Sequence, residues 1–354
     1  MRLITIILLV LTIICCNTED KVIAHDFSEI EIEYLLRDSL SVRAIAIYSD
    51  TLLGFGYNKG YGFINLKTNE KDLINFEITG SNEEYPNWVA EQRAVSFNNT
   101  SFFSLSIGSP ARLRKISINN KEEKIVYSET NDKVFYDAMA FWNTREGIAM
   151  GDPTTNCLSI LITRDEGETW SKVSCDNLPK VFDGEAAFAA SNGNIAIIGD
   201  ETWIVSGGMK SRVFYSPDKG KTWDVFATPI IEGKQTSGVY SVDFYDKNVG
   251  IIYGGDYTKP KDNIANKAIT NDGGKTWSLL SEGKGPGYKS CVRYIPNGGG
   301  KEVAAVGFTG ISISNDYGKH WKELSKEGFY TLRFINDSIA IAAGKGRIAK
   351  IIFK

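Results

Sequence analysis

Charged and aromatic side chains recur at one position of a repeated strand pattern in this chain. A polar residue is followed by a small residue and then by alternating apolar ones, as in RAIAI from residue 43 and RAVSF from residue 93. Arginine at such a position can hold an anion through paired hydrogen bonds, and tyrosine can stack or donate one. The residues at this first position are, in chain order, Arg43, Arg93, Asp137, Glu185, Tyr240, Ser290 and Tyr330.

A second position follows the glycine that ends each next apolar run. Its residues are Tyr57, Ser109, Asp152, Asp200, Asp256, Phe308 and Lys345, and Tyr257 comes directly after Asp256. We expect both positions to border the same opening. The opening would then carry an acidic side with Asp137, Asp152, Glu185, Asp200 and Asp256, facing Arg43 and Arg93.

Two interpretations of these charges stay open. In the first, they only solvate and cross-link the entrance, as surface charges often do. Alternatively they form a binding site for a polar or zwitterionic ligand or a partner loop, in which the arginines take an anionic group and Tyr240, Tyr257 and Tyr330 stack or hydrogen-bond. No loop of the DxDxDG type supports calcium, and we expect neither a metal nor a cofactor.

Four copies of one eight-residue string position these residues. TRDEGETW begins at residue 163, SPDKGKTW at 216, TNDGGKTW at 270 and SNDYGKHW at 314. The pattern Ser/Thr-x-Asp-x-Gly-x-x-Trp resembles the Asp-box, also called the bacterial neuraminidase repeat. Each aspartate can accept backbone N–H bonds in a tight turn, each glycine permits positive φ, and each tryptophan packs below the turn. We expect structural roles for Asp165, Trp170, Asp218, Trp223, Asp272, Trp277, Asp316 and Trp321.

The spacing of the boxes predicts an all-β propeller. Successive boxes start 53, 54 and 44 residues apart, which suits four-stranded blades. Two segments before the boxes, 61–76 and 112–127, each end a blade with a polar turn in place of the box. A last repeat starts at residue 328 and lacks an outer strand. We therefore predict a seven-bladed β-propeller over 28–354, closed by a strand from 28–36 at the other end of the chain.

The N-terminus predicts export. A basic start, an apolar run from Leu3 to Ile14 and then polar residues suggest a signal peptide over 1–16, followed by a short linker over 17–27. The pair Cys15 and Cys16 resembles a bacterial lipoprotein processing site, and a cut after Ala24 is the alternative. We expect a periplasmic or outer-membrane-anchored lipoprotein, attached to a membrane only through this lipid.

Three further cysteines follow. Cys157 and Cys175 fall almost opposite each other across one box hairpin, so we predict a disulfide between them, with buried reduced thiols as the alternative. Cys291 alternates with apolar neighbours and is expected in the core.

The net charge and the absence of certain motifs argue against two classes of function, nucleic-acid binding and redox catalysis. A formal net charge of −3 over 354 residues gives no basic footprint, so nucleic acid is not an expected partner. Only two histidines occur, His25 and His320, and no Gly-x-Gly-x-x-Gly or Cys-x-x-Cys string is present. These absences argue against an oxidoreductase.

A sialidase-like glycoside hydrolase is the enzymatic alternative that the Asp-box resemblance implies. Sialidases hold the substrate carboxylate with three arginines, but the first position supplies only Arg43 and Arg93, and Arg293 and Arg333 lie deeper in their strands. The repeat can be shared without the catalytic site. We assign no catalytic residue.

The whole mature chain resembles photosystem II stability/assembly factor-like proteins and sortilin-type propellers. The boxes carry this resemblance, together with FYDAMAFWNTREGIAMGDP (135–153), DGEAAFAASNGNIAI (183–197) and GGDYTKP (254–260). It implies a monomeric binding or assembly module for a protein, peptide or glycan. The acidic entrance departs from the arginine-rich patch of the photosynthetic members, so photosystem assembly itself is not carried over.

Overall fold

A computed structural model describes residues 25–76 and 91–354. The predicted signal peptide, with Cys15 and Cys16, lies outside the described residues. Within those ranges the secondary structure is almost entirely β, with a single short 3-10 turn at Cys175–Asn177. No helix in the described ranges has the length and apolar character needed to cross a membrane.

The strands are numbered in chain order. Those in the first third are β1 (Ile30–Tyr48), β2 (Leu52–Tyr57), β3 (Gly60–Asn65), β4 (Lys71–Asn75), β5 (Gln92–Phe97), β6 (Ser101–Ser106), β7 (Ala111–Ser117) and β8 (Glu123–Glu129). Those in the middle are β9 (Tyr136–Phe141), β10 (Gly147–Gly151), β11 (Ser159–Thr163), β12 (Ser171–Lys172), β13 (Glu185–Ala186), β14 (Ile195–Ile198), β15 (Glu201–Val205), β16 (Gly207–Gly208), β17 (Arg212–Ser216) and β18 (Asp224–Ala227). The last are β19 (Ser237–Phe244), β20 (Gly250–Asp256), β21 (Lys267–Thr270), β22 (Ser278–Leu279), β23 (Cys291–Tyr294), β24 (Val303–Gly307), β25 (Gly310–Ser314), β26 (Lys322–Ser325), β27 (Thr331–Phe334) and β28 (Ile339–Phe353).

These strands form six antiparallel sheets built on the four-stranded blade of a propeller. Four sheets have four strands each: β5 to β8, β9 to β12, β14-β15-β17-β18, and β23 to β26. Two have six strands, in the orders β27-β28-β1-β2-β3-β4 and β13-β16-β19-β20-β21-β22. The fold is therefore an all-β propeller.

The predicted count of seven blades is wrong, because the described strands form six sheets. Two long strands cause the difference. β28 pairs with β27 through its first half and with β1 through its second half, and β1 then continues into its pairing with β2. The repeat that the sequence placed last is thus hydrogen-bonded into one sheet with the first repeat. In this sheet Ile30 pairs with Phe353, so the two ends of the described chain meet.

A second difference concerns the strand predicted from residue 185. Only Glu185 and Ala186 are in a strand there, and β13 pairs with β16 at the edge of a six-stranded sheet. The inner strand of the neighbouring sheet is β14, ten residues later. The small-apolar sequence EAAFA therefore belongs to a segment that precedes the inner strand.

Core clusters lie between neighbouring sheets. One of them includes Trp203 from β15, whose ring stacks on Phe244 of β19 with centroids 3.7 Å apart. Both residues are buried. Aromatic and branched side chains of adjacent sheets interdigitate in this way, which holds the inner strands around the central axis.

The box turns connect the last two strands of four sheets: β11 to β12, β17 to β18, β21 to β22 and β25 to β26. In each turn the Asp Oδ1 accepts a backbone N–H from the residue four positions on, at 2.8 to 3.0 Å. The turn glycines have φ between +78° and +85°, which glycine adopts without strain. Because the strands are antiparallel, these turns lie at the opposite end of the sheets from the starts of the inner strands.

Candidate functional site

A cavity of about 990 Å³ opens where the inner strands begin. That size is in the range of ligand sites in proteins. Seven of the residues predicted from the sequence line it: Arg43, Arg93, Asp152, Glu185, Tyr240, Tyr257 and Tyr330. The structure brings these seven residues together at one cavity, whereas their role in binding stays a prediction.

The segment 189–194 closes the bottom of this cavity. Asn192 donates from Nδ2 to the Val95 carbonyl at 2.8 Å, and its Oδ1 accepts the Met139 N–H at 2.9 Å. The Thr331 hydroxyl donates to the Ser191 carbonyl at 2.9 Å, and the Val242 N–H donates to the Gly193 carbonyl at 3.0 Å. Only a segment on the central axis can reach four inner strands at once. We call residues 189–194 the plug.

Close packing explains the sequence of the plug. A Cβ on Gly193 would lie 2.6 Å from Ser191 Oγ and 2.8 Å from Ser241 Oγ, so a side chain has no room there. Asn192 has φ of +53°, a conformation that asparagine tolerates better than most residues. The short string SNGN therefore suits a chain that crosses a narrow channel.

Arg43 and Arg93 form the basic wall of the cavity. The Arg43 guanidinium lies over the Tyr330 ring, 4.2 Å from its centroid, and its Nε is buried without a hydrogen-bond partner in the described residues. Burial, and then the charge of Arg93, lower the pKa of Arg43. Arg93 is better satisfied, because its Nε donates to Glu91 at 2.8 Å. Arg43 thus keeps a donor for which the protein supplies no acceptor.

Aromatic rings form another part of the cavity wall. Phe188 stacks on Tyr240 with centroids 3.8 Å apart, and Tyr240 meets Tyr288 edge-on at 4.8 Å. Tyr288 continues to Phe308 at 5.3 Å. Phe308 and Tyr257 are 44% and 46% exposed, so apolar surface extends from the cavity to the outside. An apolar or flat ligand group could pack along this wall.

Glu185 is buried and neutralised. Its carboxylate accepts two hydrogen bonds from Arg212, at 2.9 and 2.6 Å, one from Ser206 at 2.6 Å and one from the Phe182 N–H at 3.0 Å. Although Glu185 lines the cavity, its lone pairs are in use. It positions the wall and contributes little free negative charge.

Asp256 and Asp200 do not line the cavity. Asp256 is buried and accepts the N–H and the hydroxyl of Thr258; burial alone would raise its pKa, but these bonds hold the pKa below the usual value. Asp200 is exposed in the turn between β14 and β15, at the box end, 3.3 Å from Lys219. It was placed at the mouth because β14 was mistaken for a second strand when it is an inner strand.

Asp137 and Asp152 lie together at the wall. Asp137 is fully buried, and neither carboxylate oxygen has a hydrogen-bond partner within the described chain. Asp152 lines the cavity and accepts the Ala187 N–H at 2.7 Å. Burial raises the pKa of Asp152 to about 6, and burial together with the charge of Asp152 raises that of Asp137.

The predicted acidic side therefore does not exist as free negative charge. Of its five carboxylates, one lies at the far end and the others are bound or buried in the protein. Phe308, which occupies the second repeated position, also lines the cavity. Other lining residues were not predicted from the sequence: Lys133, Phe135, Asp183, Phe188 and Tyr288. Nothing in the repeated pattern marks Phe188 or the plug.

The cysteines occupy distinct places. The sulfurs of Cys157 and Cys175 are joined in a disulfide, with Cα atoms 5.5 Å apart. Thr155 and Asn156, just before Cys157, line the cavity. Cys291 is a buried free thiol. Among the described residues no group of three or more His, Cys, Asp or Glu side chains is arranged to hold a metal ion.

The fold defines the protein as a β-propeller with a cavity where the inner strands begin. A family model described as sortilin, neurotensin receptor 3, matches residues 158–289, which is less than half of the chain. This stretch contains three of the boxes. No curated protein matches the chain significantly.

Solved structures share the architecture over nearly the whole chain. One described as YCF48 bound to D1 peptide has a TM-score of 0.63 at 14% identity and covers 94% of this chain and 99% of that chain. One described as U3-55K has a TM-score of 0.62 at 11% identity, covering 92% and 98%. These identities establish likeness of fold alone. With the sortilin match, they confirm the predicted resemblance to Asp-box propellers.

Proposed function

We propose that this chain is a binding module whose cavity holds an anionic segment of a peptide or protein partner. The main support is the observation that Arg43 lines the cavity and that its buried Nε has no hydrogen-bond acceptor among the described residues. A buried donor without a partner costs roughly 1–3 kcal/mol, more when charged. A ligand carboxylate would supply the missing acceptor and use the two-pronged geometry of the guanidinium.

The charge of the cavity supports an anion over a cation. Glu185 is neutralised by Arg212, Asp137 lies beside Arg93, and burial raises the pKa values of Asp137 and Asp152. Lys133 adds another positive charge at the lining. A zwitterionic ligand would find a firm place for its negative group and only Asp183 as an exposed carboxylate.

The shape and the relatives favour a peptide. The aromatic wall from Phe188 to Phe308 suits an apolar side chain next to the anionic one. A solved structure of similar fold is described as bound to a peptide, and the partial family match is to a receptor family. Glycan binding and sialidase-like hydrolysis are the alternatives that the experiment below also examines.

The experiment is a selection of random peptides displayed on phage against the purified chain. We expect enriched sequences with Asp or Glu next to an aromatic or branched residue, and loss of their binding in Arg43→Ala. Arg37→Ala is the matched control, since Arg37 also covers a tyrosine ring, Tyr34 at 3.6 Å, but lies outside the cavity.

Two results would contradict this function. One is the selection of peptides without acidic residues, or with affinities that Arg43→Ala leaves unchanged. The other is turnover of fluorogenic sialosides that Arg43→Ala abolishes, which would favour the hydrolase.

We infer from the sequence that the protein acts outside the cytoplasm as a monomeric lipoprotein. The Cys157–Cys175 disulfide supports an oxidising compartment. Mass spectrometry of the membrane fraction should find a diacylated Cys15 or Cys16. An unmodified terminus at His25 would instead indicate the cut after Ala24.

A further inference from the structure

The fold satisfies the buried carboxyl pair of Asp137 and Asp152 only in part. Asp137 lies in inner strand β9, and Asp152 directly follows β10, which pairs with β9. Both oxygens of Asp137 lack a hydrogen bond of good geometry in the described residues although the side chain is fully buried, and only the nearby backbone N–H groups of Ala189 and Asp152 lower its pKa alongside the charge of Arg93. An ionised carboxylate is not kept in such a place without compensation.

The groups that face this pair come from β5 and from β13 with the segment that follows it. Arg93 of β5 is the cation near Asp137, and it also lines the cavity. The segment after β13 contributes the backbone N–H of Ala187 to Asp152 and that of Ala189 near Asp137, while Glu185 of β13 is bound to Arg212. Among the described residues, Arg93, which also pairs with Glu91, therefore supplies the positive charge beside Asp137, and Asp152 supplies an opposing negative charge. Like charges held this close do not both ionise readily.

We propose that Asp137 and Asp152 form a proton-binding site behind the cavity wall, and that an anion held by Arg43 and Arg93 binds together with one proton from solvent. This inference rests on the proposed function. The ligand anion offsets the charge of Arg93, so the pair loses its only cation, and a proton on one carboxyl group restores the balance. The proton moves from water to a carboxylate oxygen, and no other bond changes.

Linkage makes this proposal measurable. If anion binding favours protonation, protonation favours anion binding by the same factor. Burial raises the pKa of Asp152 to about 6 and also raises that of Asp137, so the transition lies above the usual carboxyl range. We expect an anion to bind about tenfold more tightly at about pH 5.5 than at about pH 8, one unit of coupled pKa change.

Histidine titration does not account for a pH dependence of anion binding in the cavity. The two histidines of the chain lie away from the cavity, His25 against Glu302 and His320 in a box turn against Asp316. Neither lines the cavity. Burial lowers the pKa values of Lys267 and Lys289 to about 8, and neither lysine lines the cavity. Loss of the pH response in a variant of the carboxyl pair, rather than the response alone, therefore assigns it to Asp137 and Asp152.

The test uses 4-fluorobenzoate, a carboxylate on a flat ring, which stays ionised over this range. Its binding to the full chain is followed by ¹⁹F NMR at several pH values. Asp137→Asn should remove most of the pH dependence and bind at high pH about as the natural protein does at low pH. Asp152→Asn serves the same purpose should Asp137→Asn not fold. Asp132→Asn removes an exposed carboxylate beside cavity-lining Lys133 and should keep the pH dependence.

Each other outcome has a definite meaning. Binding that does not change with pH would overturn the proton site and leave the anion site standing. No binding at any pH would overturn both. Stabilisation by Ca²⁺ that disappears in Asp137→Asn would show that the pair holds a cation instead.

Discussion

The box end and the cavity end of the propeller treat their charged groups in opposite ways. At the box end, Asp218 accepts bonds from the N–H groups of Lys221 and Thr222 and from the hydroxyls of Ser216 and Thr222, at 2.7 to 3.0 Å. At the cavity end, the buried Nε of Arg43 and both oxygens of Asp137 have no partner in the described chain. The turn therefore uses the hydrogen-bonding capacity of the box aspartate, whereas the fold leaves that of Arg43 and Asp137 unmet.

The pKa values show the same contrast. Burial alone would raise the pKa of each box aspartate, but the turn hydrogen bonds hold it below the usual value. Burial wins at the cavity end, where it lowers the pKa of Arg43 and raises that of Asp152. Stability should therefore depend on the boxes and binding on the cavity.

The largest expected effect is on stability, from a box tryptophan. Trp170 is buried and packs edge-on against Phe103 and Phe141, with centroids 6.1 and 5.8 Å away. Trp170→Ala should lower the free energy of unfolding in urea by about 3–5 kcal/mol. The cavity-end control Tyr257→Ala, 46% exposed, should change it by less than about 0.5 kcal/mol. Equal losses would break the comparison.

A box aspartate should have the next largest effect. Asp272 accepts hydrogen bonds from the Thr276 N–H and from the hydroxyls of Thr276 and Thr270, at 2.6 to 2.9 Å. Asp272→Ala should lower the free energy of unfolding by about 1–3 kcal/mol, because the turn donors lose a charged acceptor. Asp272→Asn keeps one acceptor oxygen and should fall in between. Any loss of peptide binding that exceeds the loss of folded protein would contradict a purely structural role.

Two buried lysines near the cavity end should make stability rise with pH. Burial lowers the pKa values of Lys267 and Lys289 to about 8, and their Nζ atoms contact amide oxygens, such as the Gly310 carbonyl 2.8 Å from Lys289. The folded protein thus binds fewer protons than the unfolded chain between about pH 8 and the usual lysine pKa. From about pH 7.5 to about pH 9.5, unfolding should cost about 1–2 kcal/mol more for each lysine.

A variant checks that assignment. In urea unfolding, Lys289→Met should remove the part of the pH dependence of the unfolding free energy that this lysine contributes. Lys275→Met, at an exposed box position, is the control and should leave the dependence intact. A flat pH profile in the natural protein would show that these buried amines are compensated.

Repeated sequence features predicted the propeller class and the strand register, whereas structural features that occur only once were missed. The boxes gave the propeller class and the strand register that led to Arg43, Arg93 and Tyr330, because each is fixed by short local patterns. The predicted number of sheets was wrong because hydrogen bonding continues through β28 and β1. Sequence periodicity does not show where one sheet ends and the next begins.

The position of Asp200 was predicted wrongly, and the plug was missed, for a related reason. An insertion before β14 contains its own small-apolar string, so aligning blades by pattern moved one repeat by a strand. The partners of Glu185 were also hidden, since Arg212 meets it only after folding. Whether a carboxylate is free or bound depends on contacts between distant residues.

The smallest expected effect on stability is at Arg43, and it tests the comparison most sharply. Arg43→Met keeps an apolar stem against Tyr330 and removes a buried donor without a partner. The free energy of unfolding in urea should stay the same or rise by up to about 1 kcal/mol. Arg212→Met, at the same end, is the matched control: it strips the cation from buried Glu185 and should lower that free energy by several kcal/mol. If Arg43→Met is instead as destabilising as Arg212→Met, then Arg43 supports the fold, and the distinction between charges that the fold uses and charges kept for a ligand does not hold at this position.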